Sequence, residues 1–126
     1  MTQGNVMTKI LVVDDSAANR MVLTGHLEAA GYHVVEATSG ASALSILGRE
    51  EFDLAILDVL MPGMDGYETC RRIRVQPASA RLPVLFLTAL GERDTGQPAS
   101  AAGGNAVLGK PFQRRDLLDR IRQLIG

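Results

Sequence analysis

The sequence has little of what extracellular, membrane-spanning or nucleic-acid-binding proteins require. Its single cysteine, Cys70, cannot form an internal disulfide, so a reducing, cytoplasmic setting is expected. No apolar run approaches the ~20 residues of a transmembrane helix, and residues 1–9 lack the apolar centre of a signal peptide. The formal net charge of -1 gives no electrostatic reason to expect a nucleic acid or a membrane as partner.

What the sequence does contain is typical of one globular domain. It has 126 residues, of which 46% are hydrophobic and 21% are charged. This length supports one hydrophobic core but not two ordinary domains. We expect a flexible tail over residues 1–8 and one domain over residues 9–126. Because the sequence stops soon after its last helical pattern, we also expect a protein without a separate output domain.

The most informative stretch is residues 52–66, FDLAILDVLMPGMDG. Residues 54–57 have the length and composition of a buried strand. The strand runs into Asp58, and a turn rich in proline and glycine follows at once. A carboxylate directly after a buried parallel strand lies where α/β sheets bind their ligands. The pattern therefore predicts that Asp58 is the reactive group.

Five apolar segments of strand length alternate with helical patterns, which predicts an α/β fold with a parallel sheet, helices on both faces and right-handed crossovers. Ser16 and Asp65 are expected to cap helices, and Val22, Leu23 and Leu27 to face the core. The arginines of the third and last helices are interpreted as solvated faces. The strands are predicted at residues 9–13, 33–36, 53–57, 84–87 and 106–109.

The fourth helix is the weakest element of the predicted fold. Residues 91–104 contain no large apolar side chain, and Gly96 and Pro98 interrupt the pattern. Because proline is tolerated in the first turn of a helix, we predict a short or irregular helix that begins near Pro98, with residues 91–97 as a loop.

Polar side chains follow four of the predicted strands. Because the carboxyl ends of parallel strands share one edge of the sheet, we expect Asp14, Asp15, Asp58, Thr88 and Lys110 to converge there. Carboxylates suit Mg²⁺, and a carboxylate such as Asp58 can act as a nucleophile toward phosphorus. Lys110 and Thr88 would then supply a positive charge and a hydroxyl donor to the new phosphoryl oxygens.

Four motifs in this order resemble one known family, the receiver domains of two-component response regulators. They are VVDDS at residues 12–16, LDVLMPGMDG at 57–66, LTA at 87–89 and KPF at 110–112. The resemblance covers nearly the whole chain, from residue 9 to its end. It implies a flavodoxin-like sheet with strand order 2-1-3-4-5 and a protein that signals rather than an enzyme with a separate substrate.

The resemblance also assigns residues. It implies that a histidine kinase or a phosphotransfer protein phosphorylates Asp58, that the phosphoprotein then binds a downstream target protein, and that the chain is a monomer or weak dimer. A cis bond is expected between Lys110 and Pro111. By resemblance, Asp15, Asp58 and the main-chain carbonyl of Leu60 bind Mg²⁺, and Asp14 acts on it mainly through water. Thr88 is the switch hydroxyl, and Lys110 pairs with the phosphoryl group.

One position departs from the family pattern. Receivers usually carry tyrosine or phenylalanine three residues before the lysine, whereas this chain has Val107. A rotamer switch of an aromatic ring is therefore excluded. We hypothesise instead that phosphorylation orders residues 91–104, which contain mainly small side chains that anchor weakly.

Two other functions remain open at this stage. The missing aromatic and the weak fourth helix slightly favour a constitutive interaction module that keeps the fold without phosphotransfer. The intact acids, Thr88 and Lys110 strongly oppose it. A phosphohydrolase that uses an aspartyl phosphate would need a second carboxylate near Asp58, but Leu60 occupies the position two residues further on. Because Leu60 and Leu90 cannot orient an attacking water, we expect slow loss of the phosphoryl group.

Overall fold

The computed structural model describes residues 7–90 and 92–125, in the range 92–95 by the backbone alone. Most of the predicted tail, residues 1–6, lies outside the described residues. Within them no helix is long and apolar enough to cross a membrane. The strands are β1 (Lys9–Val13), β2 (His33–Ala37), β3 (Leu54–Asp58), β4 (Val84–Thr88) and β5 (Ala106–Gly109). The helices are α1 (Ala17–Ala29), α2 (Gly40–Leu47), α3 (Gly66–Val75), α4 (Glu92–Ala101) and α5 (Arg114–Ile125), with a 3-10 turn at Pro77–Ser79.

The five strands form one parallel sheet in the order β2-β1-β3-β4-β5, which confirms the predicted fold. Successive residues of a strand face opposite sides of a sheet. In β1, Leu11 and Val13 therefore pack toward α2, α3 and α4, whereas Ile10 and Val12 pack toward α1 and α5. All residues of β3 and β4 are buried, as expected for central parallel strands.

The helices begin where short polar side chains satisfy free backbone amides. Ser16, Ser39 and Asp65 accept hydrogen bonds from the amides of Asn19, Ser42 and Glu68, at 3.2, 3.1 and 2.9 Å. These caps fix the first turns of α1, α2 and α3 directly after the carboxyl edge of the sheet. The caps predicted at Ser16 and Asp65 are confirmed.

The predicted start of the fourth helix was wrong. Helix α4 begins at Glu92 and has ten residues, with Pro98 inside it. Alanines make the buried contacts here, because Ala99 in the helix and Ala102 directly after it are 2% and 3% exposed. The chain then approaches the sheet closely, since a Cβ on Gly104 would lie 2.5 Å from the Phe86 ring. Small side chains thus pack this helix closely, without the large apolar residue that the sequence argument required.

The buried face of α1 is narrower than its sequence pattern indicated. Leu23 and Leu27 are buried as predicted, but Val22 is 55% exposed. The adjacent Met21 is also exposed, at 72%. These two side chains lie on the outer surface of α1.

Two arginines interpreted as solvated make specific contacts instead. Arg74 donates to the carbonyls of Gly103 and Leu82 and to Asn105 Oδ1, at 2.9, 2.6 and 2.9 Å. Arg120 donates to the Val107 carbonyl at 2.7 Å. Arg74 therefore fixes the loop before β5, and Arg120 connects α5 to β5.

Candidate functional site

The first group of the site follows β1. Asp14 continues the line of that strand, because its amide donates to the Ala37 carbonyl at 3.2 Å. Its side chain is buried, and Oδ1 accepts a hydrogen bond from the Ser16 amide at 2.9 Å. Asp15 is exposed. The pair thus offers one fixed carboxylate and one at the surface.

The second group ends β3. Asp58 is 8% exposed, and Oδ1 accepts from the Leu60 amide at 3.2 Å. The chain then folds back, because the Gly66 amide donates to the Val59 carbonyl at 2.9 Å. A Cβ on Gly66 would lie 2.3 Å from the Asp58 carbonyl oxygen. Glycine is therefore required at residue 66 for the turn that presents Asp58.

The carboxylates of Asp14, Asp15 and Asp58 converge, with ligand oxygens all within 4.8 Å of one another. Such a set of hard oxygen donors fits Mg²⁺, which binds to one or two carboxylates and keeps several waters. Leu60 lies at the same edge, two residues beyond Asp58. The contribution of its carbonyl, expected from the family resemblance, stays a prediction.

A cationic side chain, Lys110, and a hydroxyl, Thr88, also lie at the carboxyl edge of the sheet. Lys110 Nζ lies 3.5 Å from Asp14 Oδ2 and 3.7 Å from Asp58 Oδ2. The Lys110 amide also donates to the carbonyl of the buried Thr88, at 2.8 Å, which extends the pairing of β5 with β4. Thr88 Oγ1 accepts from the Leu90 amide at 3.0 Å, so its own proton points elsewhere. The predicted cis bond between Lys110 and Pro111 is confirmed.

Burial and the neighbouring charged groups shift the pKa of Asp58. Burial raises the pKa of its carboxyl group above the ordinary value, and the charges of Asp14 and Asp15 raise it further. The Lys110 ammonium and the Leu60 amide oppose this increase in the pKa. The net direction is upward, so the site disfavours the ionised Asp58 until a further cation is present.

Sequence reasoning missed one residue next to the site. Arg20, in the second turn of α1, donates through Nη1 to the Asp14 carbonyl at 2.7 Å. Its Nε donates to Glu36 Oε1 at 2.9 Å. Side chains of a helix point back toward its N-terminus, so an arginine shortly after the Ser16 cap was the available signal.

Apolar surface surrounds the acidic pocket. Leu60 and Leu90 are 52% and 45% exposed. A groove of about 460 Å³ lies between α1 and the loop that precedes α5, with Lys110 in its lining. Its other lining residues are Asn19, Val22, Leu23, His26, Ala89, Pro111 and Phe112. The pocket therefore opens onto a surface suited to contact with another protein.

Comparison with known proteins gives one consistent family. The family model described as the response regulator receiver domain matches residues 10–122. The transcriptional regulatory protein ResD of Bacillus subtilis is 40% identical over 118 residues, which are 94% of this chain and 48% of ResD. The response regulator PleD of Caulobacter vibrioides is 39% identical over 116 residues, 92% of this chain and 26% of PleD. The chain thus spans about half, or less, of the length of these curated relatives.

Solved structures agree with this. The chemotaxis protein CheY4 of Vibrio cholerae is 35% identical, with a TM-score of 0.90 over 94% of this chain and 99% of CheY4. The receiver domain of the sensor histidine kinase PA1611 of Pseudomonas aeruginosa is 33% identical, with a TM-score of 0.86 over 96% and 99% of the two chains. That structure has a magnesium ion coordinated in its active site cleft.

Proposed function

The chain belongs to the response regulator receiver domain family, and from this premise we propose that it accepts a phosphoryl group on Asp58 in an Mg²⁺-dependent reaction. The donor is a histidine kinase or a phosphotransfer protein. The phosphorylated form then either binds a target protein or passes the phosphoryl group on. Because the curated relatives are longer than this chain, the proposal concerns the receiver unit, and the stand-alone form expected from the sequence stays a prediction.

One observation carries the proposal. Three carboxylates lie within 4.8 Å of one another at the carboxyl edge of the sheet, and the ammonium of Lys110 lies within 4 Å of two of them. Holding three like charges together costs free energy unless a cation offsets their repulsion. A carboxylate cluster with an ammonium group beside it is suited to receive a phosphoryl group together with Mg²⁺.

In the proposed reaction, an ionised oxygen of Asp58 attacks the phosphorus of a phosphohistidine. The new O–P bond forms as the N–P bond breaks, and the imidazole nitrogen leaves with the electron pair and takes up a proton. When bound, Mg²⁺ supplies positive charge that offsets the repulsion between the carboxylates and the incoming phosphoryl group. We assign Asp15, Asp58 and the Leu60 carbonyl as its direct protein ligands, and Asp14 as the acid that would hold it mainly through water.

Lys110 and Thr88 are assigned to the phosphoryl oxygens. Lys110 already pairs with Asp58 and can transfer its contact to the product. The Thr88 hydroxyl accepts from Leu90 and keeps its proton free to donate. Because Thr88 lies at the end of β4, a shift of its side chain would act on the loop toward α4. We propose that this loop reports phosphorylation to a partner, without an aromatic switch at Val107.

The donor is proposed to be a protein because of the surface beside Asp58. The groove between α1 and Lys110 is largely apolar and continues into the exposed Val22. A helix that carries a phosphohistidine could lie there and bring its phosphorus to Asp58. A small-molecule phosphodonor would use the acidic pocket alone.

A second function, the constitutive interaction module, is favoured by a different feature. An open groove of about 320 Å³ lies between α4 and β5 and is lined by small side chains and by Val107. It could accept a partner without any change at Asp58. The phosphohydrolase is not proposed, because Leu60 cannot transfer a proton.

The test is the intact mass of the protein after incubation with acetyl phosphate, with and without Mg²⁺. Wild type is expected to gain one phosphoryl group only with Mg²⁺, and Asp58→Asn is expected to gain none. Asp116→Asn, at an exposed position of α5, is the matched control and should react like wild type. No gain from acetyl phosphate or from a cognate phosphorylated kinase, with Mg²⁺ bound, would favour the constitutive module.

A further inference from the structure

Arg20 connects three parts of the chain at the edge of the site. Its Nη1 donates to the Asp14 carbonyl at 2.7 Å, a short, charge-assisted contact. Its Nε donates to Glu36 Oε1 at 2.9 Å. Since Asp14 follows β1, Arg20 belongs to α1 and Glu36 belongs to β2, one guanidinium joins a helix and two neighbouring strands beside the carboxylates.

The geometry around Arg20 is itself fixed from several sides. The Arg20 side chain is 15% exposed, although arginine is seldom so buried without a partner. Glu36 uses both carboxylate oxygens, because Oε2 accepts from the Thr24 hydroxyl at 2.8 Å. Thr24 and Arg20 lie one turn apart on α1, so the helix holds Glu36 by two contacts.

The contact with Arg20 is one of several that hold Asp14 in place. Its amide is bound to Ala37, its carboxylate to the Ser16 amide and its carbonyl to Arg20. The first two contacts are made by backbone groups of neighbouring segments. The third depends on a side chain, and it fixes the peptide plane between Asp14 and Asp15. Lys110 also holds the Asp14 carboxylate, with Nζ 3.5 Å from Oδ2, so the constraint that Arg20 adds is on the peptide that links the two aspartates.

Charge and geometry predict opposite effects of removing Arg20. A cation next to a cation-binding site repels the ion, so Coulomb's law alone predicts tighter Mg²⁺ binding when Arg20 is lost. The paired Glu36 offsets this repulsion. If the guanidinium instead orients the Asp14 peptide, its loss weakens Mg²⁺ binding, as the loss of groups that orient metal ligands commonly does.

We propose that Arg20 is a positioning residue for the Mg²⁺ site and that Glu36 holds it in place. Arg20 contacts neither the metal nor the phosphoryl group and acts through the Asp14 carbonyl. The inference rests on the proposed Mg²⁺-dependent function and adds a geometric requirement to it.

The test measures Mg²⁺ affinity directly, by titration calorimetry without any phosphodonor. Arg20→Ala is expected to weaken binding by about ten-fold. Arg20→Lys keeps the charge but cannot reach both acceptors, and should weaken binding by a similar factor. The control is Arg72→Ala, which removes an equal charge from an exposed ion pair with Glu68 on α3. It should leave the affinity unchanged.

A second readout separates positioning from general damage to the fold. In Arg20→Ala the Mg²⁺ concentration that half-saturates phosphorylation by acetyl phosphate should increase about ten-fold, with the rate at saturating Mg²⁺ within about two-fold of wild type. Glu36→Ala should weaken Mg²⁺ binding in wild type but have no further effect in Arg20→Ala. Should Arg20→Ala fail to fold, Arg20→Lys and Glu36→Gln carry the same comparison.

The outcomes distinguish the two proposals. Unchanged or tighter Mg²⁺ binding in folded Arg20 variants overturns the positioning role and leaves the function of Asp58 intact. Wild type that binds no Mg²⁺ overturns both. Weaker binding in Arg72→Ala as well would show that the loss of affinity is not specific to the Arg20 contact and would also overturn the positioning role.

Discussion

The ammonium group of Lys110 lies 3.7 Å from the carboxylate of Asp58, although β4 lies between β3, which Asp58 ends, and β5, which Lys110 follows. The side chain crosses over the end of β4, where Thr88 is buried. Lys110 therefore supplies the positive charge that the described residues place closest to Asp58.

Lys110→Met is expected to lower stability when Mg²⁺ is absent. The substitution leaves Asp14 and Asp58 without their partner, at a cost of about 1–2 kcal/mol in the free energy of unfolding. Added Mg²⁺ should recover most of the loss, because it supplies the missing charge. Urea unfolding with and without Mg²⁺ measures both effects. Equal losses in the two conditions would contradict an electrostatic role.

Asp58→Asn is expected to stabilise the metal-free protein at neutral pH. Burial raises the pKa of Asp58, so the folded state binds its proton more tightly than the unfolded chain. Ionisation of Asp58 then costs stability as pH rises through the folded pKa, and the cost is fully present above it. The advantage of Asp58→Asn should therefore disappear as pH falls below the ordinary carboxyl pKa. Thermal unfolding across pH measures it, and a constant difference would contradict the argument.

Gly66→Ala and Gly25→Ala are expected to have opposite effects. At Gly66 an added Cβ would lie 2.3 Å from the Asp58 carbonyl oxygen and 2.8 Å from Val59 Cα. This substitution should displace the turn, lower stability by about 2–3 kcal/mol and slow phosphorylation. At Gly25, in α1, a Cβ meets no atom within 4 Å. That substitution should stabilise the helix by about 1 kcal/mol. Chemical unfolding of both variants tests the pair.

The phosphoryl group is expected to persist on Asp58 because Leu60 and Leu90 flank the pocket. Both side chains are about half exposed and carry no group that could orient water. Leu60→Gln or Leu90→Gln should shorten the lifetime of the acyl phosphate by roughly ten-fold, since an amide can hold the attacking water. Decay of the phosphorylated mass in buffer gives the rate, with Leu60→Met as the apolar control. Wild-type decay within seconds would contradict the prediction.

Amide exchange over residues 91–104 is expected to slow when beryllofluoride and Mg²⁺ are added. Helix α4 is already formed over most of this segment. We therefore expect phosphorylation to stabilise a formed helix instead of ordering a loop. Pro98 lies within the helix and lacks an amide proton, at a cost of about 3 kcal/mol. Pro98→Ala should slow exchange without beryllofluoride and reduce the contrast. Unchanged exchange in wild type would contradict this role for α4.

The sequence by itself determined the parts that depend on short-range pattern. The apolar run before Asp58 and the alternation of strands with helices predicted the parallel sheet. The family resemblance predicted its strand order. The caps at Ser16 and Asp65 were predicted from the residue types alone. Parallel strands share one carboxyl edge, so this pattern also predicted that Asp14, Asp58 and Lys110 would meet. Their proximity follows from topology, which is why it could be predicted before any coordinates.

The tertiary structure decided what depends on distant neighbours. The start of α4 could not be predicted, because alanine packing against the sheet outweighs the low helical preference of its sequence. Arg20 and Arg74 resemble surface arginines in sequence, and only the folded chain brings carbonyls within reach of their guanidinium groups. Val22 fits the helical period yet faces outward, because the sheet covers only a narrow stripe of α1. Each of these depends on how the folded segments pack against one another, which the short-range pattern of the sequence does not specify.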